Sequence, residues 1–355
     1  MTRSLSPRAL LAPSPARRQT TQCLRVLAVT FLVAGGLAGC SSDTGGSDAG
    51  DAEPYEAPVV VVNCDREVRV EAPVERAVAV NQPAVELLLA LGLGDRIASY
   101  AMSDDDVLPE LEEEREGVEA FDTEFPSFET VLDVEPDLVY TTFDYTFTDE
   151  GIAGRDRFEE LGVPTYQSPS ECSGQEAEQT RALTLEDQWA EIEEVATLFG
   201  VRERGDELVS ELSARAEEAT VDLGAENVTM AWWYAATPAP YMAGCCGAPG
   251  LMTRAVGATN AFEDAEQYWP EIGWESVLER DPTVLVLADL GRGGDGDSAA
   301  EKIEFLESDP VASRLTAVQE QRYIVLDGTT MDPSIRNVTG IEQLAQGLRD
   351  LGLVE

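Results

Sequence analysis

A twelve-residue segment occurs twice in this chain, and the repeat restricts the possible folds more than any other feature of the sequence. The first copy spans residues 128–139 and the second spans residues 274–285, 146 residues later and without a gap. Each copy has an aromatic residue, Glu, any residue, Val-Leu, two further residues, an acid, Pro and an apolar run. Proline lacks an amide hydrogen and disfavours helical backbone in the residue before it. Each copy therefore predicts a short helix that ends before the proline, followed by a buried strand.

The distance between the copies favours two similar lobes, because it is far longer than the repeat of any solenoid. Glu129 and Glu275 occupy the same position in the two predicted helices. We therefore expect these two glutamates to lie at equivalent surface points, one on each lobe.

Strands alternate with helices through short loops in both halves, which predicts parallel sheets flanked by helices. In the first half we expect an edge strand near 59–70, a buried strand at 77–80 and a helix at 84–91. Over residues 184–223 the apolar side chains recur at helical spacing and no strand fits, so one helix or two nearly collinear helices should connect the lobes. The predicted fold class is α/β, with two similar lobes, each with a parallel sheet flanked by helices, joined by a long connecting helix.

The start of the chain indicates export. Residues 1–39 contain five arginines and no acid, and their apolar run at 26–37 is shorter than the roughly 20 residues that span a bilayer. The run closes in Leu-Ala-Gly-Cys40, which resembles the bacterial lipobox, whose cysteine is lipidated. We expect a protein anchored by lipid to the cell membrane on its extracytoplasmic face.

The predicted organisation has five parts. The segment after Cys40 is rich in Gly, Ser, Asp, Ala and Pro and cannot bury enough apolar surface to fold, so it is interpreted as a tether. The parts are a signal peptide at 1–39, the tether at 40–58, an N-terminal lobe at 59–180, the connecting helix at 181–224 and a C-terminal lobe at 225–355.

The composition excludes several function classes. A net charge of −44, from 68 acidic and 24 basic residues, argues against nucleic acid as a partner, since phosphate binding needs a basic surface. The chain has no histidine, which removes the commonest zinc ligand and the usual general base. No nucleophile elbow, catalytic triad or P-loop is present. We therefore predict no enzyme activity, no catalytic residue, no resident cofactor and no metal site.

One glycine-rich segment, residues 291–296, matches the dinucleotide-binding pattern G-x-G-x-x-G. Its Asp295 would face a pyrophosphate, so we interpret the segment as a flexible loop. Asp289, Asp295 and Asp297 could hold calcium, but they lack the spacing of an EF-hand loop.

Four cysteines follow Cys40, namely Cys64, Cys172, Cys245 and Cys246. In an oxidising compartment an even number argues for disulfides, with three possible connectivities. We favour Cys64–Cys172 and Cys245–Cys246, although neighbouring Cα atoms lie about 3.8 Å apart and ordinary disulfides need about 4.4 Å. Two reduced thiols that bind a soft metal are the alternative.

Aromatic and arginine side chains gather where predicted strands end, and open parallel sheets bind ligands beyond the carboxyl ends of their strands. Arg292 and Arg336, in an otherwise acidic protein, would suit an anionic ligand. The candidate ligand-binding residues are Gln82, Tyr100, Tyr145, Trp233, Tyr234, Tyr241, Trp269, Arg292 and Arg336.

The chain resembles the ABC-transporter substrate-binding lipoproteins that carry ferric siderophores and cobalamin, the class III periplasmic binding proteins. The resemblance covers the body from about residue 63 to 353, and it is carried by residues 81–92, the two repeat copies, 269–275 and 333–336. It implies two lobes with limited hinge motion, a monomer, and a permease dimer in the membrane onto whose arginines Glu129 and Glu275 dock. Tyr100, Trp269 and Arg336 align with ligand-contact positions of relatives.

The resemblance implies capture of a ferric siderophore, or a related metal chelate, and its delivery to the permease. This guest is favoured because the iron-chelate branch of the family is larger, and iron should be coordinated indirectly. A cobalamin, another corrinoid or haem is the alternative guest in the same fold. A surface redox protein that uses Cys245 and Cys246 is the alternative from another class.

Overall fold

The computed structural model of the protein describes residues 57–174 and 177–354. The predicted signal peptide, Cys40 and the predicted tether up to residue 56 lie outside the described residues. The strands are β1 (Val59–Asn63), β2 (Arg66–Val70), β3 (Ala77–Val80), β4 (Ile97–Ala101), β5 (Leu138–Thr141), β6 (Thr165–Gln167), β7 (Thr229–Ala235), β8 (Tyr241–Met242), β9 (Thr259–Asn260), β10 (Val284–Asp289) and β11 (Tyr323–Asp327). The α-helices are α1 (Gln82–Ala90), α2 (Glu112–Arg115), α3 (Phe128–Asp133), α4 (Arg155–Glu159), α5 (Leu185–Phe199), α6 (Arg202–Thr220), α7 (Ala248–Ala255), α8 (Trp274–Arg280), α9 (Ala299–Ser308), α10 (Thr316–Gln319) and α11 (Arg336–Asp350).

Each lobe contains one main sheet, and the two main sheets share a topology. In the N-terminal lobe the order is β4-β3-β5-β6 with every pair parallel. In the C-terminal lobe β7 occupies the place of β3, β9 that of β4, β10 that of β5 and β11 that of β6. The α/β class and the two similar lobes are confirmed.

The C-terminal sheet differs from the prediction in one respect, because it is mixed rather than purely parallel. Strand β8 pairs with β7 in the antiparallel direction, Trp233 opposite Met242. The short connection between them contains Pro238 and Pro240, and a connection of this length can join only antiparallel neighbours.

The repeat gives the same local structure twice. Helix α3 ends three residues before Pro136 and helix α8 two residues before Pro282, and a fully buried stretch of strand follows each. The residues before the two prolines, Glu135 and Asp281, both have a positive φ, 49° and 40°. The prediction of two equivalent helix–strand units is confirmed, and the left-handed residue before each proline is a further likeness that the sequence does not predict.

The segment predicted as one edge strand near 59–70 is instead a two-stranded antiparallel sheet, β1–β2. Cys64 and Asp65 make the turn, and both have a positive φ, which matches the twist of a tight hairpin. Strand β1 is a run of four valines before Asn63 and only β2 alternates apolar with polar residues, and neither pattern marks the turn between them.

The connector is two helices that fold against each other, so the predicted single or nearly collinear helix is wrong. A capping box at Thr184 starts α5, and Gly200, with φ 71°, ends it. Gly205 of α6 then packs so closely on Ala196 of α5 that an added Cβ would lie 2.6 Å from the Ala196 Cβ. Residues nine apart in one straight helix would be about 13 Å apart. The chain therefore turns back at Gly200.

In the described ranges, 57–174 and 177–354, none of the helices combines the length and the apolar character that crossing a bilayer requires.

Candidate functional site

The site lies where the carboxyl ends of the two sheets meet. Tyr145 follows β5 in the N-terminal lobe, Tyr234 lies near the end of β7, Arg292 follows β10 and Asp332 follows β11. Burial raises the pKa of both tyrosines, and the Asp332 carboxylate is the next largest cause. Tyr145 of one lobe and Tyr234 and Asp332 of the other therefore face one another. We call the space among them the cleft.

Aromatic rings form both walls of the cleft. On the N-terminal side Tyr145 stacks on Phe143, with ring centroids 5.4 Å apart and an 18° angle between the planes. On the C-terminal side Tyr234 packs against Trp269 with centroids 4.8 Å apart. The Arg292 guanidinium lies 5.3 Å from the centre of the Tyr234 ring. Flat apolar faces from both lobes are thus available to one guest.

Asn81 holds the N-terminal wall in place. Its Nδ2 donates to the Tyr145 hydroxyl at 3.1 Å, and its Oδ1 accepts from Thr141 Oγ1 at 2.9 Å. The sequence indicates Asn81 as the start of α1, but its side chain makes no cap and its φ is 75°. Strained polar residues of this kind concentrate at functional sites.

Two carboxylates sit between the aromatic walls. Burial, then repulsion by Asp104 and Asp105, raises the pKa of Asp332 to about 8, against the opposing effect of Arg292 and Arg336. Burial also raises the pKa of Asp104, which Arg292 partly offsets.

The inner end of the cleft is closed by Glu171, next to Trp269 and Asp332. Glu171 is 2% exposed, and its Oε2 has no hydrogen-bond partner among the described residues. Burial, with Asp332 as the next cause, raises its pKa well above the usual range. The Tyr268 hydroxyl donates to the Ser170 carbonyl at 2.9 Å beside it, which joins the lobes at this point.

A cavity of about 640 Å³ lies beside the cleft on the N-terminal lobe. Tyr100 and Arg115 line it, and the Arg115 guanidinium donates to the Tyr100 hydroxyl at 2.6 Å. Five acidic residues also line it, namely Asp104, Asp105, Asp106, Asp122 and Glu124.

Of the predicted site residues, Tyr145, Tyr234, Trp269 and Arg292 come together in the cleft, and Tyr100 lies in the adjoining cavity. Three others do not reach the cleft. Trp233 is 0% exposed and belongs to the core under β7, where it packs on Trp274 with centroids 4.8 Å apart. The aromatic run 232–234 alternates across the sheet, so only every second ring can face one side.

Gln82 and Arg336 are the other two corrections, because both are buried in one network with Glu86. Arg336 donates to Glu86 from Nε at 2.7 Å and from Nη2 at 2.6 Å, and Gln82 Nε2 donates to the same carboxylate at 3.0 Å. The Asp106 carbonyl accepts from Arg336 at 2.5 Å. This network joins α1 of one lobe to α11 of the other and engages Arg336 through Nε and Nη2, while its Nη1 lies 3.9 Å from Asp327 Oδ2.

Tyr241 of β8 is 39% exposed and pairs with Glu271 in an isolated antiparallel β-bridge. Its part in ligand binding stays a prediction. The sequence places Asn81 and Asp332 at strand ends but does not indicate that Asn81 supports Tyr145, and it gives no indication of Asp104 or Glu171. No signal distinguishes Asp104 and Glu171 from the other acidic residues, of which the chain has 68 in all.

The aspartates in and beside the glycine-rich loop bind other groups of the protein. Asp295 accepts from Thr237 Oγ1 at 2.8 Å, Asp297 binds Arg292 at 3.0 Å, and Asp289 accepts from the Ala299 amide at 2.9 Å. These contacts hold the loop between β10 and α9 in place.

The structure contains disulfides between Cys64 and Cys172, with Cα atoms 5.2 Å apart, and between Cys245 and Cys246. The first ties the β1–β2 turn to the loop that carries Glu171. The second lies in the loop before α7, where the Cys246 carbonyl accepts from the Leu183 amide at 2.8 Å.

The two equivalent glutamates are both exposed, Glu129 with 76% of its side chain accessible. Each sits in the first turn of a helix that directly precedes a central strand. Because such a helix runs back along its strand, its first turn lies near the carboxyl edge of the sheet, beside the cleft. The Nη2 atom of Arg157 lies 3.9 Å from Oε1 of Glu129.

Comparison with known proteins gives the same fold. A periplasmic binding protein from Veillonella parvula superposes with a TM-score of 0.71 at 22% identity, covering 80% of this chain and 94% of that one. A protein of the ABC-type Fe3+-hydroxamate transport system of Saccharomonospora viridis gives 0.67 at 25% identity, covering 82% and 99%. The haem-binding protein RhuT from Roseiflexus gives 0.59 at 20% identity, covering 78% and 98%.

No curated protein matches the chain. The family model described as periplasmic binding protein matches residues 78–330, which include both sheets apart from the first residue of β3. The chain therefore belongs to the periplasmic binding protein family, the extracytoplasmic solute-binding proteins of ABC transporters.

Proposed function

We propose that this protein captures a ferric siderophore in the cleft and delivers it to an ABC permease. The observation that carries the proposal is the pair of aromatic walls, Tyr145 on Phe143 and Tyr234 on Trp269, supplied by different lobes. Binding between two lobes lets one guest contact both walls. The relative from Saccharomonospora viridis, named for Fe3+-hydroxamate transport, supports an iron chelate as this guest.

The tyrosines support indirect coordination of the iron. Burial raises the pKa of Tyr145 and of Tyr234 well above the usual value for a phenol, and Asp332 raises both further. Neutral phenols are weak ligands for a hard cation, since the ionised oxygen is the better donor. The chelator, rather than the protein, would therefore supply the iron ligands, and the rings would pack on its organic part.

Delivery would use Glu129 and Glu275, one on each lobe, against arginines of a permease dimer. Their exposure and their equivalent places beside the cleft support this role. The protein would act as a monomer, held by lipid at Cys40 and by the tether that follows it.

The first prediction concerns the C-terminal aromatic wall. Tyr234→Ala and Trp269→Ala should each weaken binding of the ferric chelate about 10-fold, because each removes a packing face worth at least about 1.4 kcal/mol. Tryptophan fluorescence quenching on titration with the chelate measures the affinity. Tyr323→Ala, which removes a tyrosine from the start of β11 at the opposite edge of its sheet, should leave affinity within about 2-fold.

The same titration tests the function itself. Ferric hydroxamates, catecholates and citrate-type chelates should include at least one that quenches fluorescence at sub-micromolar concentration. If only haem or a corrinoid produces a response, the guest is a tetrapyrrole and the iron-siderophore proposal is wrong. If none of these compounds does, the cleft is not a chelate site.

A further inference from the structure

The cleft carries more negative than positive charge, because the arginines near it are paired with carboxylates. Arg336 is neutralised by Glu86, and Arg292 is paired with Asp297 at 3.0 Å. Asp104 and Asp332 make no ion pair within the described part of the chain. The expectation of an anionic ligand depends on arginines without a counter-charge, and each of these two arginines has a carboxylate partner.

The adjoining cavity has the same character. Its five acidic residues face one arginine, Arg115, which is held by the Tyr100 hydroxyl and lies 5.7 Å from the centre of that ring. A guest large enough to extend from the cleft into this space would meet carboxylates along its path.

Glu171 is an independent sign of a ligand at the inner end of the cleft. Buried polar groups nearly always have a hydrogen-bond partner, and the Glu171 Oε2 lacks one among the described residues while it lines the space next to Trp269 and Asp332. Since burial favours the neutral acid, this group can donate a hydrogen bond to an uncharged acceptor oxygen. An anionic oxygen would instead lose its hydration beside Asp332.

On the basis of the proposed function, we propose that the cleft selects a cationic or neutral ferric hydroxamate over anionic chelates. Asp104 and Asp332 set the charge preference, and Glu171 donates to a carbonyl oxygen of the guest. Hydroxamates bind iron through singly charged groups, so that three of them neutralise the ferric ion and a pendant amine makes the complex cationic. Catecholates, citrate and the propionates of haem leave their complexes negative.

The expected size of the effect follows from Coulomb's law. A unit charge on the guest about 7 Å from one unpaired carboxylate, in surroundings of intermediate polarity, changes the affinity by about 3- to 10-fold. At about pH 9, where Asp332 is ionised because its pKa is about 8, two such carboxylates should separate a cationic from an anionic chelate by at least about 10-fold at low salt. Salt should reduce the difference.

The test is a titration at about pH 9, above the Asp332 pKa of about 8, with three ferric complexes of different charge. These are ferrioxamine B, a cationic trihydroxamate, ferrichrome, a neutral one, and ferric enterobactin, a trianionic tricatecholate. Ferrioxamine B should bind at least about 10-fold more tightly than ferric enterobactin. Equal or tighter binding of the tricatecholate would overturn the charge preference and leave the proposed function standing. Binding of none of the three, together with silence toward citrate-type chelates, would remove the proposed function itself.

Paired variants separate charge from shape. Asp104→Asn with Asp332→Asn should weaken ferrioxamine B about 10-fold and change ferrichrome by less than about 3-fold. The control is Glu218→Gln, which removes a charge from the exposed face of α6 and should affect neither. An equal loss of affinity for ferrioxamine B and ferrichrome would show that the two acids act through the shape of the cleft. The proposed charge preference would then be wrong.

The same acids predict a pH dependence. A cation beside Asp332 favours its ionised form, so the affinity for ferrioxamine B should rise from pH 6 to 8 and level off above the Asp332 pKa of about 8. The charged and titratable groups that face Asp332 are Asp104, Asp105, Arg292, Arg336, Glu171, Tyr145 and Tyr234. Ferrichrome, without a charge, should show a flat profile. A flat profile for ferrioxamine B in the native protein would contradict the assignment.

Discussion

Replacing Glu86 with glutamine should lower the free energy of unfolding by about 3–5 kcal/mol, because it removes the buried partner of the Arg336 guanidinium and leaves only the exposed Asp327, 3.9 Å away, as a counter-charge. Glu86 is 0% exposed and Arg336 is 3% exposed. The carboxylate also accepts from the Leu108 amide at 3.0 Å and from Gln82. One substitution therefore disturbs four hydrogen bonds at the junction of the lobes. Urea unfolding followed by circular dichroism measures the change.

The control for this prediction is another pair that involves α11. Arg215 of α6 binds Glu342 of α11 at 2.8 Å, and both side chains are more than one third exposed. Glu342→Gln should cost no more than about 1 kcal/mol. The double variant Glu86→Leu with Arg336→Met should recover most of the loss, since apolar groups of similar size can replace a buried pair. A loss below about 1 kcal/mol in Glu86→Gln would show that the pair is not needed for the lobes to pack.

The pair also explains what the sequence could and could not predict about the site. Glu86 and Arg336 are 250 residues apart, and no local pattern links them. In isolation Arg336 has the signature of an anion-binding residue in an acidic protein. The pairing with Glu86 shows that Arg336 has a structural role, and this pairing forms only when the two lobes pack together.

The repeat, in contrast, acts over a few residues and can be read from the sequence. Proline ends each helix, Phe128 and Trp274 anchor it in the core, and an apolar run forms the strand. The turn at Gly200 is different, because a glycine between two helical runs is compatible with a kink, a cap or a reversal. The contact of Gly205 with Ala196 decides among these, and it is tertiary.

The acidic composition hides the residues that matter most in the cleft. Asp104 and Asp332 differ from the other acids only in facing each other and two tyrosines across the lobes. Their raised pKa values are a consequence of that placement. The strand-end position of Asp332 can be read from the sequence, but among so many carboxylates nothing shows that it and Asp104 lie together before the fold is known.

Reversing both equivalent glutamates, Glu129→Arg with Glu275→Arg, should reduce uptake of the ferric chelate at least about 100-fold while its affinity for the isolated protein stays within about 2-fold. The proposed permease surface is basic at two points, and a like charge at each point costs several kcal/mol in total. Uptake of radiolabelled chelate by cells with the cognate permease measures transport, and fluorescence quenching measures binding. Each single variant should show an intermediate loss.

A matched double variant tests whether position rather than net charge is responsible. Glu203→Arg with Glu218→Arg makes the same change in charge on the exposed face of α6 and should transport normally. Full uptake by the Glu129 and Glu275 double variant would mean that the repeat places two glutamates at equivalent points without using them for docking. An equal loss in both doubles would assign the effect to the overall charge of the protein. If only the Glu129 and Glu275 double variant loses uptake, the two repeat helices are the docking points for the permease. Docking would then involve both lobes at the same time.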